Sequence, residues 1–211
     1  IGSTTPNTGR FTYININGST SGTIGIGNTT GNYNLVLPST LGVNGQILTL
    51  SDNSGSLKWG LPITWVISDQ KSSGTTSGTF TSGAWRTRTL NTIISSSSSS
   101  DVTLSSNQIS MTAGTYSIQI VTPAYSAGSH ACRLFNVSNS TVVDVGTSEF
   151  SGGLLNAIQS SSSLYTTFSI SSTTVFSIQH QCTTTSTTNG FGLQTGLQTE
   201  VYALCKLTKL I

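Results

Sequence analysis

Two histidine–cysteine pairs have residue types and spacing that could do chemistry. His130 and Cys132 lie two positions apart, as do His180 and Cys182, each in an alternating stretch typical of a β-strand. Residues two apart on a strand point to one face, so adjacent strands would offer two nitrogens and two sulfurs, a donor set that suits zinc. Ile178 shares the face of His180, which favours a hydrogen-bonded histidine in the core instead. We expect no metal and no other cofactor.

The chain has few carboxylate side chains that could act in acid–base catalysis. The six carboxylates are Asp52, Asp69, Asp101, Asp144, Glu149 and Glu200. None is paired with another at short spacing, so two-carboxylate glycosidase chemistry would need the fold to bring distant residues together. We expect no catalytic residue and no enzymatic activity.

The elements that must position these side chains are strands. Residues 79–90 are predicted to form one strand, 164–170 and 175–182 a hairpin turned at 171–173, and 72–78 a flexible loop. Thr, Val, Ile and Gly abound, only 7% of residues are charged and 35% are hydrophobic, a composition that favours an all-β fold with a core. The net charge of +2 is scattered, and no apolar run is long enough to span a membrane, so we expect neither nucleic-acid binding nor membrane insertion. The chain starts at Ile1 instead of Met, and we expect it to be a piece of a longer protein.

The three cysteines, Cys132, Cys182 and Cys205, are too few and too dispersed for a disulfide-rich scaffold. We expect them to be buried free thiols. A bridge between Cys132 and Cys182, or a bond between subunits, is the alternative.

Alternating residues predict a sandwich core and one strand at an interface. The core predicted for residues 62–211 consists of Tyr116, Ile118, Ile120, Phe135, Phe168, Phe176 and Ile178. The last strand, from Glu200 to Ile211, is apolar on both faces, and such a strand must be covered twice. Its first face carries Val201, Ala203, Cys205 and Leu207. We expect the second face, with Tyr202, Leu204 and Leu210, to lie at an interface between subunits.

A composite motif spans Tyr33 to Trp59. It reads Tyr-x-Leu-x-Leu-Pro, then Gly-x-x-Gly-Gln-x-Leu, then Asp-x-x-Gly-x-Leu-x-Trp, and it resembles the connector that precedes the terminal head in fibre proteins of tailed phages and large algal viruses. An ordinary pair of β-hairpins is the alternative. Gly60-Leu61-Pro62 is a natural boundary because proline cannot donate to a strand ladder. We expect a β-rich, shaft-like connector over residues 1–61 and a head domain over residues 62–211.

The head carries further motifs. Ala113-Gly-Thr-Tyr116 opens a strand, and Trp85-x-x-Arg88, His130-Ala-Cys-Arg133 and Ile178-Gln-His180 follow the order found in the same viral fibre heads. The Gly-x-Tyr segment also resembles the trimeric jelly rolls of the tumour-necrosis-factor and complement-globular-head superfamily. The resemblance implies a homotrimeric jelly-roll head on the virion surface.

The function expected from this resemblance is attachment. The head would contact a glycan or protein receptor on the host cell, and the N-terminus would join other virion proteins. The alternatives are a purely structural capsid or fibre protein and a secreted complement-head-like binding module.

Receptor contacts are expected in loops, which a rigid sandwich holds in place. Candidate segments are residues 72–78, 94–101, 151–163 and 183–191. Arg86 and Arg88 could grip a carboxylate or phosphate, with structural pairing to Asp69 or Asp101 as the alternative. Phe150 and Phe191 are the aromatic rings near these loops, and we expect them to offer contacts to sugar rings.

Overall fold

The computed structural model describes residues 23–28, 31–51, 54–95, 100–153 and 156–210. The chain divides into two compact units, Ile1–Leu61 and Pro62–Ile211. The short strands expected over residues 1–22, and the parts of the candidate loops at 96–99 and 154–155, lie outside the described residues. The described residues contain no helix, and hence none long and apolar enough to cross a membrane.

The first unit contains two antiparallel strand pairs. Strand β1 (Thr23–Asn28) pairs with β2 (Gly31–Val36), and β3 (Ile47–Leu50) pairs with β4 (Leu57–Gly60). Short strands of this kind bury little surface by themselves.

The composite motif of the first unit has a physical basis in its turns. Gly45 has φ 90°, a left-handed conformation that suits glycine, and the Gln46 side chain accepts a hydrogen bond from the Val43 backbone N–H at 2.8 Å. The Trp59 ring lies against Gly42, where a Cβ would come within 2.6 Å of it, and Trp59 Nε1 donates to the Thr40 carbonyl at 2.9 Å. These contacts thus stabilise one turn that is built from Gly42, Gly45, Gln46 and Trp59.

The second unit is built from the remaining strands. These are β5 (Ile63–Lys71), β6 (Arg86–Thr87), β7 (Thr92–Ser95), β8 (Val102–Ser105), β9 (Gln108–Met111), β10 (Gly114–Tyr125), β11 (Ser129–Asn136), β12 (Thr141–Val145), β13 (Glu149–Phe150), β14 (Gln159–Ile170), β15 (Thr174–Cys182) and β16 (Glu200–Leu210).

These strands form two antiparallel sheets. The five-stranded sheet has the order β14-β10-β16-β5-β7, and the seven-stranded sheet has the order β12-β11-β15-β9-β8 with β13 on β11 and β6 on β15. The chain crosses between the sheets from β10 to β11, from β14 to β15 and from β15 to β16, which is the connection pattern of a jelly roll. The predicted all-β, jelly-roll sandwich is confirmed.

The main core lies between the two sheets. Trp65, Tyr116 and Ile120 from the five-stranded sheet and Leu134 and Phe176 from the seven-stranded sheet are fully or almost fully buried. The three cysteines are free and buried, as expected. A smaller cluster contains Phe80, Ala124, Ala127 and Cys182.

One predicted core residue has the opposite orientation. Phe135 is only half-buried, because the inward positions of β11 are taken by Cys132 and Leu134. The segment Cys-Arg-Leu-Phe places apolar residues in both phases of the strand, so the period-2 pattern alone did not determine which phase faces inward. The other predicted core residues are buried, except that Phe168 packs against the core from a partly buried position.

Three predicted elements differ in the structure. The serines at 160–163, expected in a loop, belong to β14, because pairing with 121–124 of β10 holds them extended. The hairpin expected from β14 and β15 is wrong, since the two strands lie in different sheets. The strand expected over 79–90 is reduced to Arg86–Thr87 and the short bridge at Phe80.

Candidate functional site

Arg88 is the best-buried cation of the second unit. Strand β6 pairs with β15, and the Arg88 N–H extends this ladder by donating to the Ile178 carbonyl at 2.8 Å. The side chain is therefore directed into the sandwich, where Arg88 is 1% exposed. The prediction of Arg88 as a receptor contact on the surface is wrong for this physical reason.

Backbone carbonyls compensate the buried guanidinium. Arg88 Nη1 donates to the Pro123 carbonyl at 3.2 Å, and Nη2 donates to the carbonyls of Phe191 (3.0 Å) and Tyr202. The guanidinium carbon also lies 4.3 Å from the centre of the Phe191 ring. Burial lowers the pKa of Arg88 to about 9, against the opposing charge of Asp69. Arg88 thus remains a cation at neutral pH and ties together segments that are distant in sequence.

A chain of hydrogen bonds leads outward from Arg88. His180 Nδ1 lies 3.4 Å from Arg88 Nη1, His180 Nε2 lies 2.9 Å from His130 Nδ1, and His130 Nε2 lies 2.8 Å from Ser160 Oγ. A guanidinium can only donate, so His180 Nδ1 must accept. His180 Nε2 then carries the proton given to His130 Nδ1, and His130 Nε2–H donates to the Ser160 hydroxyl.

This order of donors and acceptors opposes nucleophilic catalysis at Ser160. An activated serine gives its proton to an unprotonated histidine nitrogen, whereas His130 Nε2 already carries a proton here. Burial lowers the pKa of His130 to about 4, despite the nearby Glu149, and lowers the pKa of His180 to about 2, with Arg88 and His130 contributing. Both histidines are neutral structural groups at pH 7.

The histidine–cysteine set does not assemble as a metal centre. Strands β11 and β15 are neighbours, with His130 opposite Cys182 and Cys132 opposite His180. However, the two histidines bond to each other and the Cys182 thiol donates to the Thr184 carbonyl at 3.3 Å. The described part of the chain holds no group of three or more His, Cys, Asp or Glu side chains that could share a metal ion.

A cleft of about 510 Å³ opens on the outer face of the seven-stranded sheet, above the histidine pair. Its floor is formed by residues from β11 and the end of β15, among them Ser129, Ala131 and Gln181. Trp85 stands on one side and Phe150 on the other. His130 reaches this cleft from below, so the cleft and the buried hydrogen-bond chain share one residue.

The predicted receptor contacts are distributed unevenly around this cleft. Phe150 lines it and is 61% exposed. Phe191 is half-buried, with its ring stacked 4.5 Å from that of Phe80. Arg86 is partly buried, and its Nε donates to the Thr81 carbonyl at 3.2 Å. Of these three, Phe150 is the one that the structure places in the cleft.

Trp85 was not predicted as a site residue. The sequence does contain an indication of its orientation. Trp85 lies two residues before Thr87 in an alternating segment, and this spacing places both side chains on the outer face. Its indole is held by Arg133, whose guanidinium carbon lies 4.1 Å from the ring centre. Arg133 comes from another strand, so this contact could not be inferred from sequence spacing.

The outer face of the five-stranded sheet is the second exposed feature. Leu204 and Leu210, which are expected at an interface between subunits, are exposed there. Tyr202 is not, because a bulge between Val201 and Ala203 inserts an extra residue and shifts the alternation. Tyr202 is buried and its hydroxyl donates to the Thr75 carbonyl at 2.6 Å, while Val201 faces solvent. The expectation of Tyr202 beside Leu204 is therefore wrong.

No protein-family model and no curated protein sequence matches the chain. Among solved structures, the chain is similar to murine APRIL, with 6% identity and a TM-score of 0.40 over 71% of this chain and 98% of that chain. The globular domain of zebrafish complement 1qA protein gives 14% identity and 0.42 over 71% and 97%. The PRD1 vertex protein P5 gives 12% identity and 0.41 over 82% and 86%.

Proposed function

We propose that this chain is part of a virion fibre or spike: a homotrimeric adhesin on the virion surface that contacts a host-cell glycan. Residues 62–211 form the head. Residues 1–61 form a connector toward other virion proteins.

The observation that carries this proposal is the difference between the outer faces of the two sheets. The five-stranded sheet exposes apolar side chains in three of its strands, namely Ile94 of β7, Tyr165 of β14, and Leu204 and Leu210 of β16. The seven-stranded sheet bears the open cleft on the opposite side of the sandwich. Burying the apolar face between subunits would leave each cleft free to meet a ligand, which is the arrangement that an adhesive head requires.

The first unit supports a role in assembly. Leu41, Val43, Ile47 and Leu50 are exposed although they are large and apolar. Side chains of this kind, close together in sequence, are typical of surfaces that bind other protein. We place the contacts with the rest of the virion on this unit.

Oligomeric state is the first test. Light scattering should give a mass near three times the 22.0 kDa of one chain. Leu204→Arg should shift this mass toward one chain, because three guanidinium groups would have to be buried or brought together. Val142→Arg is the matched control, since Val142 is 45% exposed on the other sheet and Leu204 is 41% exposed. A wild-type mass of one chain at micromolar concentration would contradict the trimer.

Attachment is the second test. The wild-type trimer should bind host cells and lose binding after glycosidase treatment of the cells. A folded Leu204→Arg monomer should bind far less, because three weak sites acting together gain affinity by avidity. A trimer that binds no cell and no glycan would instead support the purely structural role.

A further inference from the structure

We propose that the cleft between Trp85 and Phe150 is the glycan-binding site and that it takes an uncharged sugar ring. The inference rests on the proposed adhesive function and adds to it the place of contact and the class of ligand.

The first step is the shape of the cleft. In the antiparallel pairing of β6 with β15, Thr87 lies opposite Gln179. Trp85, two residues earlier, therefore lies beside Gln181 on the outer face. Gln181 in turn lies opposite Ala131 of β11. Phe150 lies opposite Ser129 at the far side. Small side chains thus form the floor, and the two aromatic residues stand three strand spacings apart, about 14 Å between backbones. A volume of about 510 Å³ is typical of small-molecule sites, which span roughly 300–1,000 Å³.

The second step is the presentation of the aromatic rings. Phe150 is exposed beside polar side chains, where it gains little from the core. Trp85 is held in place by Arg133, whose Nε in turn donates to Gln179 Oε1 at 2.8 Å. A ring fixed before binding loses little conformational entropy when a ligand packs against it. Apolar faces of sugar rings, which carry C–H groups, are suited to such surfaces.

The third step is the set of unused polar groups. The side chains of Ser129, Ser148 and Gln181 line the cleft and make no hydrogen bond to any other described residue. Hydroxyl and amide groups both donate and accept, so they match the hydroxyls of a sugar in either role. Thr183 Oγ1 accepts from the Ser129 N–H at 2.9 Å and fixes the edge of this polar floor.

The fourth step is charge. Glu149 is the one residue with a formal charge at neutral pH among those that line the cleft. A carboxylate accepts strong hydrogen bonds from sugar hydroxyls and repels carboxylated or sulfated sugars. Arg133 holds the Trp85 ring but does not line the cleft, and its Nε donates to Gln179. The cleft therefore favours a neutral glycan over a sialylated or sulfated one.

The test uses the full chain on an array of neutral and acidic oligosaccharides, followed by titration with the best glycan found. Phe150→Ala should weaken binding about ten-fold, the size expected for loss of one aromatic packing surface. Trp85→Phe should also weaken binding. Leu197→Ala, at an 87% exposed position outside the cleft, should leave affinity unchanged. Because Phe150 is exposed, its replacement should leave the melting temperature near the wild-type value.

The outcomes separate this inference from the function on which it rests. Neutral-glycan binding that is lost in Phe150→Ala and retained in Leu197→Ala supports the site. Glycan binding that is equal in wild type and Phe150→Ala overturns the site and leaves the adhesive function standing. Binding to acidic glycans alone overturns the ligand class. Binding to no glycan and no cell overturns both the inference and the adhesive function.

Discussion

Arg88 keeps its positive charge in the interior through three backbone carbonyls and one histidine nitrogen. Pro123, Phe191 and Tyr202 supply the carbonyls, and His180 supplies the nitrogen. Each of these acceptors would lose this donor if the guanidinium were removed, and a buried polar group left unpaired costs more free energy than the bond itself gains. The residue is therefore a structural centre of the second unit.

Arg88→Met should lower the free energy of unfolding by about 3–5 kcal/mol, because several buried acceptors lose their donor at once. Arg86→Met is the control, since Arg86 is partly exposed and makes one bond to a carbonyl; it should cost less than about 1 kcal/mol. Denaturant titration of both variants measures the difference. A loss for Arg88→Met as small as that of the control would contradict the structural role.

The buried histidines make stability depend on pH. The pKa values of His130 and His180 are lowered by burial to about 4 and about 2, whereas histidine in the unfolded chain titrates near its ordinary pKa of 6.5. Below pH 6.5 the unfolded chain therefore binds more protons than the folded chain. Stability should be fully present above pH 6.5 and should fall as the pH drops toward 4, with a slope of up to about 1.4 kcal/mol per pH unit for each histidine.

Denaturant titrations between pH 7.5 and 4.5 measure this slope. The double variant His130→Gln, His180→Gln should show a clearly shallower slope, whatever its absolute stability. Asp69, whose pKa is raised by burial, and Glu149 are present in both proteins, so the difference isolates the histidines. Parallel curves for the two proteins would show that the histidines do not cause the dependence.

Residue-scale features were only partly predictable from the sequence. Phe150 was predicted as an exposed ring near a loop, and it lines the cleft. The burial of Arg88 was not predictable, because its carbonyl acceptors lie 35 to 114 positions away in sequence. A charged residue is solvated or buried according to such partners, and spacing along the chain gives no information about them.

At the scale of elements, alternation predicted strands well and their connections poorly. Strand β10 follows the predicted period-2 pattern, with Tyr116, Ile118 and Ile120 inward. The bulge before Ala203 is invisible to periodicity, because an extra residue shifts the phase without changing the residue types. Nor does alternation reveal which sheet a strand joins, and this is why β14 and β15 were predicted as a hairpin.

Glu200 shows how one strand end fixes two loops. Its carboxylate accepts backbone hydrogen bonds from Gly74, Thr195 and Gly196 at 2.7–3.1 Å. These bonds lower the pKa of Glu200 to about 2. The 72–78 loop, expected to be flexible, is thus anchored at Gly74 and again at Thr75 by the Tyr202 hydroxyl.

Glu200→Gln should loosen both loops, because an amide is a weaker acceptor than a carboxylate and can bond fewer of these N–H groups. Hydrogen exchange at Gly74, Thr195 and Gly196 should accelerate, while exchange in the middle of β10 stays slow. In the wild type, the protection of the same amides relative to the intrinsic exchange rate at each pH should fall as the pH drops below 4.5 toward 2, where the carboxylate becomes protonated. Unchanged exchange at all three amides in the variant would contradict this anchoring role.

At the scale of the whole molecule, the chain forms two compact units of different character. The second unit has a large buried core, whereas the described part of the first contains two strand pairs with apolar side chains left exposed. The sequence predicted a boundary at Gly60-Leu61-Pro62, and the compact units divide between Leu61 and Pro62. How either unit assembles with further chains depends on surfaces, and alternation within a single strand cannot define a surface that spans several strands.

A fragment of residues 62–211 should fold without the first unit, because the described residues of its core all lie within that range. Its melting temperature should lie within about 4 °C of that of the full chain, the shift expected for a change of about 1 kcal/mol in a domain of this size. Calorimetry of both proteins is the measurement. Failure of the fragment to give a cooperative transition would show that the first unit is required for folding.

The place of β16 has a consequence for synthesis. This strand lies between β10 and β5 in the five-stranded sheet, although it is the last strand of its unit in chain order. On the ribosome, β5 and β10 are made long before the strand that joins them, and each exposes an unpaired edge in the meantime. Ile63 pairs with Lys209, and nearly the whole length of the unit is synthesised between these two residues. A translational pause before Glu200 would therefore prolong the state in which a neighbouring nascent chain can insert its own strand into the gap.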